Sequence, residues 1–556
     1  MDTEKRQCQQ CKGPFTIEPD DFSFYEKMGV PAPPWCPECR FRRRSVFRNE
    51  QTLYKRTCAL CGASTLSMYH PRSPYTVYCV DCWLSDRWDP FDYGQTYDPN
   101  TPFFEQMGEL LRRVPKAGIF YSSDTGPVIN SEYINFAGGA KDCYFVFNSS
   151  PQNENCAYGR GLSKSRDVFD AYFCDSVERV YEAVNVHRSQ GIAWGTNVVD
   201  SLDSAYLHNC AGCSRCFGCV NLRHKTYHFL NEPLVKAEYE KRVRGVMGSH
   251  TKTEEFKRQF KKFVLRFPHR AHQNLRSVNV TGDYIFDSKE CADCFEIGHS
   301  ENLRHSFAAK FAKDSYDITG HGRYSELLLE GVAVGTSTRV IGSWWTTSSH
   351  DIEYCFGIRS CADCVGCDSV RNAQFCVLNK RYDAAAYRQL RKHIVAELRT
   401  QNQYGSYFPP SLAPFAYNEA IGQDNLPLAK DEALNFGFRW EDDLPMTRDT
   451  ETLVPEHIPN HIRDVTDAIT KEILVCVDCG RNYRIIPMEL QFYRTMILPI
   501  PRRCFFCRHA DRLRQRGPMK IYDRTCAKCG AAIKTSYAPD RPEMIYCERC
   551  YNAEVA

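Results

Sequence analysis

Several features are missing from this 556-residue chain, and each absence narrows the reading. No apolar run approaches the ~18 residues of a membrane helix, and mean hydropathy is −0.49, so no membrane partner is expected. The opening MDTEKRQCQQC lacks the apolar core of a secretion signal, which points to the cytoplasm. Excess charge is small: 71 Lys and Arg against 68 Asp and Glu leave a net +3. Any contact with nucleic acid would have to come from local patches. There is no Walker-type phosphate loop, GxSxG elbow, dinucleotide fingerprint or HExxH, so the reading turns away from an enzyme.

What the chain does have is 30 cysteines in a globular composition, 43% hydrophobic and 25% charged. Without a secretion signal, such thiols favour metal over disulfides. Sixteen of them form CxxC pairs in two matching sets. The first is Cys8/Cys11, Cys36/Cys39, Cys58/Cys61 and Cys79/Cys82; the second is Cys476/Cys479, Cys504/Cys507, Cys526/Cys529 and Cys547/Cys550. The gaps between pairs are 24, 18 and 17 residues in both sets, and an offset of 468 superposes them without an insertion. Phe24-Tyr25 then falls on Phe492-Tyr493, and Arg40, Arg44, Arg48 and Arg56 fall on Arg508, Arg512, Arg516 and Arg524. One module is used twice. Two thiolates three positions apart bite one face of a Zn²⁺ tetrahedron and a second pair closes it, so eight pairs predict four structural all-cysteine zinc sites. Sequential pairing is favoured over a cross-brace.

The first part of each module, CQQCKGPFTIEPDDFSFYEKMGVPAPPWCPECR and CVDCGRNYRIIPMELQFYRTMILPIPRRCFFCR, resembles a bacterial "probable zinc-ribbon" family. The resemblance covers about an eighth of the chain and implies a sequential four-cysteine site. The stretches DRWDPFDYG and CFGCVNLRHK are similar to those of bacterial zinc-ribbon and β-solenoid proteins, a resemblance that implies the architecture alone.

The centre is periodic as well. In rows of twelve, one column reads Tyr144, Cys156, Val168, Val180, Ile192, Ser204, Cys216, and the next reads Phe145, Ala157, Phe169, Tyr181, Ala193, Ala205, Phe217. Small or polar groups three residues before the first column read as turns. The pattern returns after residue 290 at an offset of 148, with Cys213, Cys216 and Cys219 on Cys361, Cys364 and Cys367. Stacked apolar columns at a short fixed period, rich in β-branched and aromatic residues, predict a β-solenoid in two copies. The fold class is therefore mainly β: a tandem β-solenoid of 12-residue repeats, flanked by zinc-ribbon or treble-clef modules, with short capping helices. The expected boundaries are 1–85 and 471–556 for the modules, 130–231 and 277–379 for the solenoid copies, and 232–276 and 380–400 for helical caps. Residues 86–129 form a linker with a helix, and 401–470 an extended linker along the surface.

Three constellations are candidates for chemistry. Cys210, Cys213, Cys216 and Cys219 have the spacing of an iron–sulfur ligand set. Two of them fall in apolar columns, and residues three apart on an extended strand face opposite sides, so core packing is preferred over an extra zinc, and both over a cluster. The stretches 40–56 and 502–524 interleave basic and aromatic residues between zinc knuckles. Their Arg40, Arg42, Arg43, Arg44, Arg48 and Arg56, with Arg508, Arg512, Arg514, Arg516 and Arg524, are candidate phosphate contacts. The alternative is a basic face docked on acidic parts of the same chain. A column reading Tyr158, Asp170, Glu182, Trp194, Tyr206 could line a carbohydrate groove, although Asp170 and Glu182 map at that offset to Ile318 and Glu330. The functional reading is a non-catalytic zinc-binding scaffold that contacts nucleic acid through its ribbons. The alternatives are a self-assembling solenoid, a protein-partner platform and a carbohydrate-acting enzyme.

Overall fold

The computed structural model describes residues 2–121 and 126–555. Two parallel β-ladders dominate it, spanning 128–233 and 282–381, and each ends in a short antiparallel pair. Partners in the ladder lie twelve residues apart: Val168 pairs with Val180, Val180 with Ile192 and Ile192 with Ser204. Ile352, Cys364 and Cys376 repeat this in the second copy. One 12-residue repeat is therefore one complete coil.

The backbone reaches so short a coil by turning at every third residue. Asp167, Asp170, Phe173, Ser176, Arg179, Glu182, Asn185 and Arg188 all have φ between 44° and 56°. Each coil thus has four left-handed corners, and the residue after each corner points inward. Val168, Ala171, Cys174 and Val177 are four such inward residues, at most 3% exposed. A left-handed residue costs roughly 1–2 kcal/mol in an L-chain, least for Asn and Asp. Part of that cost is offset between coils. Corner amides bond to the corner twelve residues on, as in Asn185 Nδ2 to Asn197 Oδ1 at 2.8 Å and Asn209 Nδ2 to Asn221 Oδ1 at 3.0 Å.

A ladder of buried serines satisfies backbone donors that the corners leave open. In the second copy the Ser300 N–H donates to Ser288 Oγ (3.0 Å), Ser337 to Ser325 Oγ (3.1 Å), Ser349 to Ser337 Oγ (3.1 Å) and Cys361 to Ser349 Oγ (3.0 Å). The turns expected at one small-residue site per row are therefore present at every third position, bulky residues included. Each copy also contains one 13-residue coil, where Ala140 pairs with Asn153 and Ala312 with Ser325. Between those coils the copies match at an offset of 147, so Phe169 and Asp170 correspond to Tyr316 and Asp317.

Helices cover the last coils. His250–Val264 sets Phe256 4.8 Å from Phe217, and Ala384–Thr400 sets Tyr387 5.6 Å from Phe375. The helix Phe103–Arg113 packs on the second copy, with Phe104 edge-on to Tyr354 at 5.3 Å. Part of the region 401–470 departs from an extended surface linker: Tyr407, Phe408, Phe415 and Tyr417 are at most 1% exposed. Its aromatic residues thread between the N-terminal module and the second solenoid copy, where burial stabilises them by about 1.5–3 kcal/mol each. Among the described residues no helix is long and apolar enough to cross a membrane.

Candidate metal centres and the clasp they build

Each module repeats one local design twice. A β-hairpin carries the first CxxC in its turn, and the second CxxC opens a helix. The hairpins pair Glu4–Gln7 with Pro14–Ile17, Tyr54–Thr57 with Ser64–Ser67, Leu474–Val475 with Asn482–Tyr483, and Tyr522–Thr525 with Ala532–Thr535. The residue directly after each of these pairs turns left-handed; glycine takes that place at Gly62, Gly480 and Gly530, and Lys12 takes it after Cys11. Cys36, Cys79 and Cys504 cap the helices that follow, where aligned peptide dipoles favour a thiolate.

The thiols gather into four sequential groups: Cys8, Cys11, Cys36, Cys39; Cys58, Cys61, Cys79, Cys82; Cys476, Cys479, Cys504, Cys507; and Cys526, Cys529, Cys547, Cys550. Sulfur–sulfur distances are 3.7 Å for Cys11–Cys36, 4.0 Å for Cys61–Cys79, 3.7 Å for Cys479–Cys504 and 3.8 Å for Cys529–Cys547. A regular tetrahedron with metal–sulfur bonds of ~2.3 Å has edges of about 3.8 Å, so the four groups have the size a tetrahedral ion requires. Backbone N–H groups stabilise the thiolates, with Cys79 N 3.2 Å from Cys58 Sγ and Cys547 N 3.2 Å from Cys526 Sγ. Burial raises the Cys58 thiol, but the N–H groups of Cys79, Cys61 and Leu60 outweigh it and bring it to about 6; Cys526 is brought to about 6 in the same way. Four thiolates leave no ligand position for water, which suits a structural ion and not a catalytic one.

The helix that leaves each first metal centre lies on a solenoid, and the arrangement is crossed. Pro37–Ser45, from the N-terminal module, lies on the second copy; Phe505–Arg516, from the C-terminal module, lies on the first. Arg40 and Arg44 reach Asp317 at 3.0 Å each, and Arg44 also reaches Glu330 at 2.6 Å. In the other half Arg508 and Arg512 reach Asp170 at 2.9 and 3.0 Å. Phe24 stacks on Tyr316 at 3.9 Å, and its counterpart Phe492 on Phe169 at 4.1 Å. Burial disfavours the Asp317 carboxylate, yet Arg40 and Arg44 hold it below its ordinary range. The acidic column is thus kept in both copies, as Asp170/Glu182 and Asp317/Glu330; the inserted residue had hidden the match.

A second buried cluster joins the four parts at the centre. Arg48 bonds Glu50 (2.6 Å) and, across the interface, Asn148 of the first copy (2.8 Å). Arg160 of that copy bonds Glu50 at 2.7 Å and reaches Glu296 of the second at 3.5 Å. Arg516 bonds Tyr172 Oη at 2.7 Å and reaches Glu296 at 3.4 Å.

These partners place eight of the eleven candidate phosphate contacts inside the fold. Arg40, Arg42, Arg43, Arg44, Arg48, Arg508, Arg512 and Arg516 are between 0 and 8% exposed. Arg42 bonds Tyr417 Oη and the Leu426 carbonyl, and Arg43 the carbonyls of Tyr407 and Phe408. Half-buried Arg56 and Arg524 brace their own modules through the carbonyls of Tyr75 and Ala538. Exposed Arg514 pairs with Asp511. The docked basic face weighed as the alternative is the arrangement found. The proposed carbohydrate column is closed at Asp170, which is fully buried, while Glu182 and Trp194, the latter stacked on Tyr206 at 4.4 Å, stay half-buried on the wall of a cavity beside the helix His250–Val264.

The remaining fourteen cysteines are all buried inside the coils. Cys210, Cys213, Cys216 and Cys219 occupy four successive inward positions, so they point to one interior; the expectation that a three-residue step would scatter them fails because every third residue is a corner. Their thiols donate to carbonyls instead, Cys210 Sγ to Cys219 O at 3.4 Å and Cys216 Sγ to Lys225 O at 3.4 Å. Among the described residues only the four terminal groups bring their sulfurs to ligand spacing. Replacing all four by serine, which already fills the Cys213 column at Ser165, Ser189 and Ser201, should leave the metal content unchanged and cost ~1–3 kcal/mol at each of the apolar columns of Cys210 and Cys219, where a hydroxyl is buried. Elemental analysis with urea unfolding checks this, and a loss of metal would place an ion in the coil.

Comparison with known proteins finds no matching family model and no matching curated protein. Among solved structures, one similar chain is named "putative acetyltransferase from Desulfovibrio desulfuricans G20"; the match is 10% identical, covers 43% of this chain and 65% of that one, and has a TM-score of 0.11. This chain therefore spans under two thirds of that protein's length, and a likeness this low bears on neither fold nor activity.

Proposed function

We propose that the chain is a non-catalytic zinc-binding scaffold, in which four zinc ions stiffen two modules that clasp a pair of solenoids into one rigid body. The observation that supports this most is the partnering of the module arginines. Arg40, Arg44, Arg508 and Arg512, on the helices that leave the first centre of each module, end on solenoid carboxylates, so those two centres brace internal joints. Zinc fits the all-thiolate tetrahedra, and units this small cannot bury enough apolar surface to fold without it. The test is elemental analysis of protein purified without added metal: four zinc ions per chain are expected, and fewer than two would overturn the reading.

Nucleic acid is the partner this arrangement favours least. In a salt-titrated assay with single-stranded RNA and duplex DNA, binding should be weak near 0.15 M salt. Tight binding with a steep salt slope would show that the modules leave the solenoids to grip phosphate.

A further inference from the structure

The two halves of the molecule are built alike but finished differently, and the difference leaves a cavity in one of them. In the half that holds the N-terminal module, Arg44 is saturated: Nε donates to Thr319 Oγ1, Nη1 to Asp317 and Glu330, and Nη2 to the His305 carbonyl. The space beside it is filled by the chain itself. Gly342 stands where the first copy has Trp194, and a Cβ there would lie 3.3 Å from the Ser406 carbonyl. Arg43 closes the same spot by bonding Tyr407 and Phe408.

The other half has no such filling. Between the first solenoid copy, the helix His250–Val264 and the C-terminal module lies a cavity of about 980 Å³. Arg512, the counterpart of Arg44, lines it and is 1% exposed. Nη1 of Arg512 bonds Asp170, but Nε and Nη2 carry no hydrogen bond among the described residues. The second carboxylate that would quench them, Glu182, is drawn away to Lys257 at 3.4 Å. Nε and Nη2 form the side-on fork of a guanidinium, the edge that binds carboxylate or phosphate through two parallel bonds. Trp194 also lines the cavity, and its Nε1 is buried and unpartnered among the described residues. Nine Lys and Arg line the space against six Asp and Glu. A buried charged donor left without a partner costs more than ~1–3 kcal/mol, a cost that an acceptor in the cavity would relieve.

We infer that this cavity binds a small organic oxyanion of metabolite size, a phosphate or carboxylate held by the Arg512 fork with Trp194 Nε1 as a further donor. Its volume sits at the upper end of small-molecule sites, well above a single inorganic ion.

The experiment uses the full zinc-loaded chain. Inorganic phosphate, AMP and citrate are titrated while thermal unfolding and tryptophan fluorescence are followed. AMP or citrate should raise the melting temperature saturably and bind at least tenfold more tightly than inorganic phosphate. Preference for AMP assigns a phosphate, and preference for citrate a carboxylate. Arg512→Lys retains a cation for Asp170 but removes the fork, and should weaken binding at least tenfold. Trp194→Phe, which leaves the clasp untouched, should weaken it severalfold, so the inference stays testable if the first variant folds poorly. No response to any of the three compounds in zinc-replete protein overturns the inference. So does binding that both variants leave unchanged.

Discussion

Removing the metal with a thiol-competing chelator should unfold both modules while the solenoid ladders persist. Structural zinc in small domains contributes an apparent ~10–16 kcal/mol per site at neutral pH, which matches or exceeds the whole stability of a typical domain. Neither module has a large core of its own. Cys8, Cys58, Cys476 and Cys526 are themselves among the few fully buried side chains near the hairpins. The coils, by contrast, hold continuous apolar and serine columns that do not depend on any ion. Chelation should therefore open trypsin sites within 1–85 and 471–556, retain most of the far-ultraviolet β signal, and expose apolar faces such as Phe169 and Tyr316 to dye. Chelated protein with the cleavage pattern and melting curve of the starting material would show that the sixteen thiols hold no structural ion.

The second large effect concerns one carboxylate. Asp170→Ala should destabilise the C-terminal joint by about 3–5 kcal/mol, because it strands charge where water cannot reach. Two guanidiniums, Arg508 and Arg512, depend on this residue, and both are buried. Glu489 stands 3.6 Å from Arg508, but burial pushes its carboxyl up to about 7, so it is a poor substitute for a full negative charge. Asp317→Ala should cost less, since Glu330 remains 2.6 Å from Arg44. The ordering of the two variants is the informative quantity, and limited proteolysis of each module against urea reads it directly. Replacing Asp170, Arg508 and Arg512 together by apolar residues of similar volume should recover most of the loss, because a buried ion pair gains little over good apolar packing. A triple variant as weak as Asp170→Ala would mean that the joint needs these charges for its geometry.

Much of this was legible before any coordinates. The two gap-free modules gave the four-cysteine groups down to each member, since a CxxC knuckle is a local device that tertiary context does not alter. The twelve-residue columns gave the solenoid and its duplication. The corners were not legible, because Tyr158, Phe173, Arg179 and Trp194 occupy left-handed positions that residue type argues against. With extended strands assumed, Cys210 to Cys219 looked scattered. One extra residue in each copy, placed at different coils, broke the match of Asp170 to Asp317. The fate of the arginines was hidden for a related reason: a run such as RFRRRS has the same composition whether it faces phosphate or a carboxylate from 270 residues away.

The crossed clasp also sets an order of events during synthesis. The N-terminal module has all its ligands once Cys82 has emerged, but its dock includes Asp317 and Glu330 on the second solenoid copy. About 250 residues separate the two, which at ~5–20 residues per second is a wait of roughly 12–50 s. Through that interval Arg40 and Arg44 stand uncovered beside a completed set of four cysteines. The first solenoid copy waits longer still, with Asp170 bare until the last module is made. The ribosome therefore carries a protein whose N-terminal module is complete well before it can close, and the arginines that end up most deeply buried are among the first charges it presents to the cell.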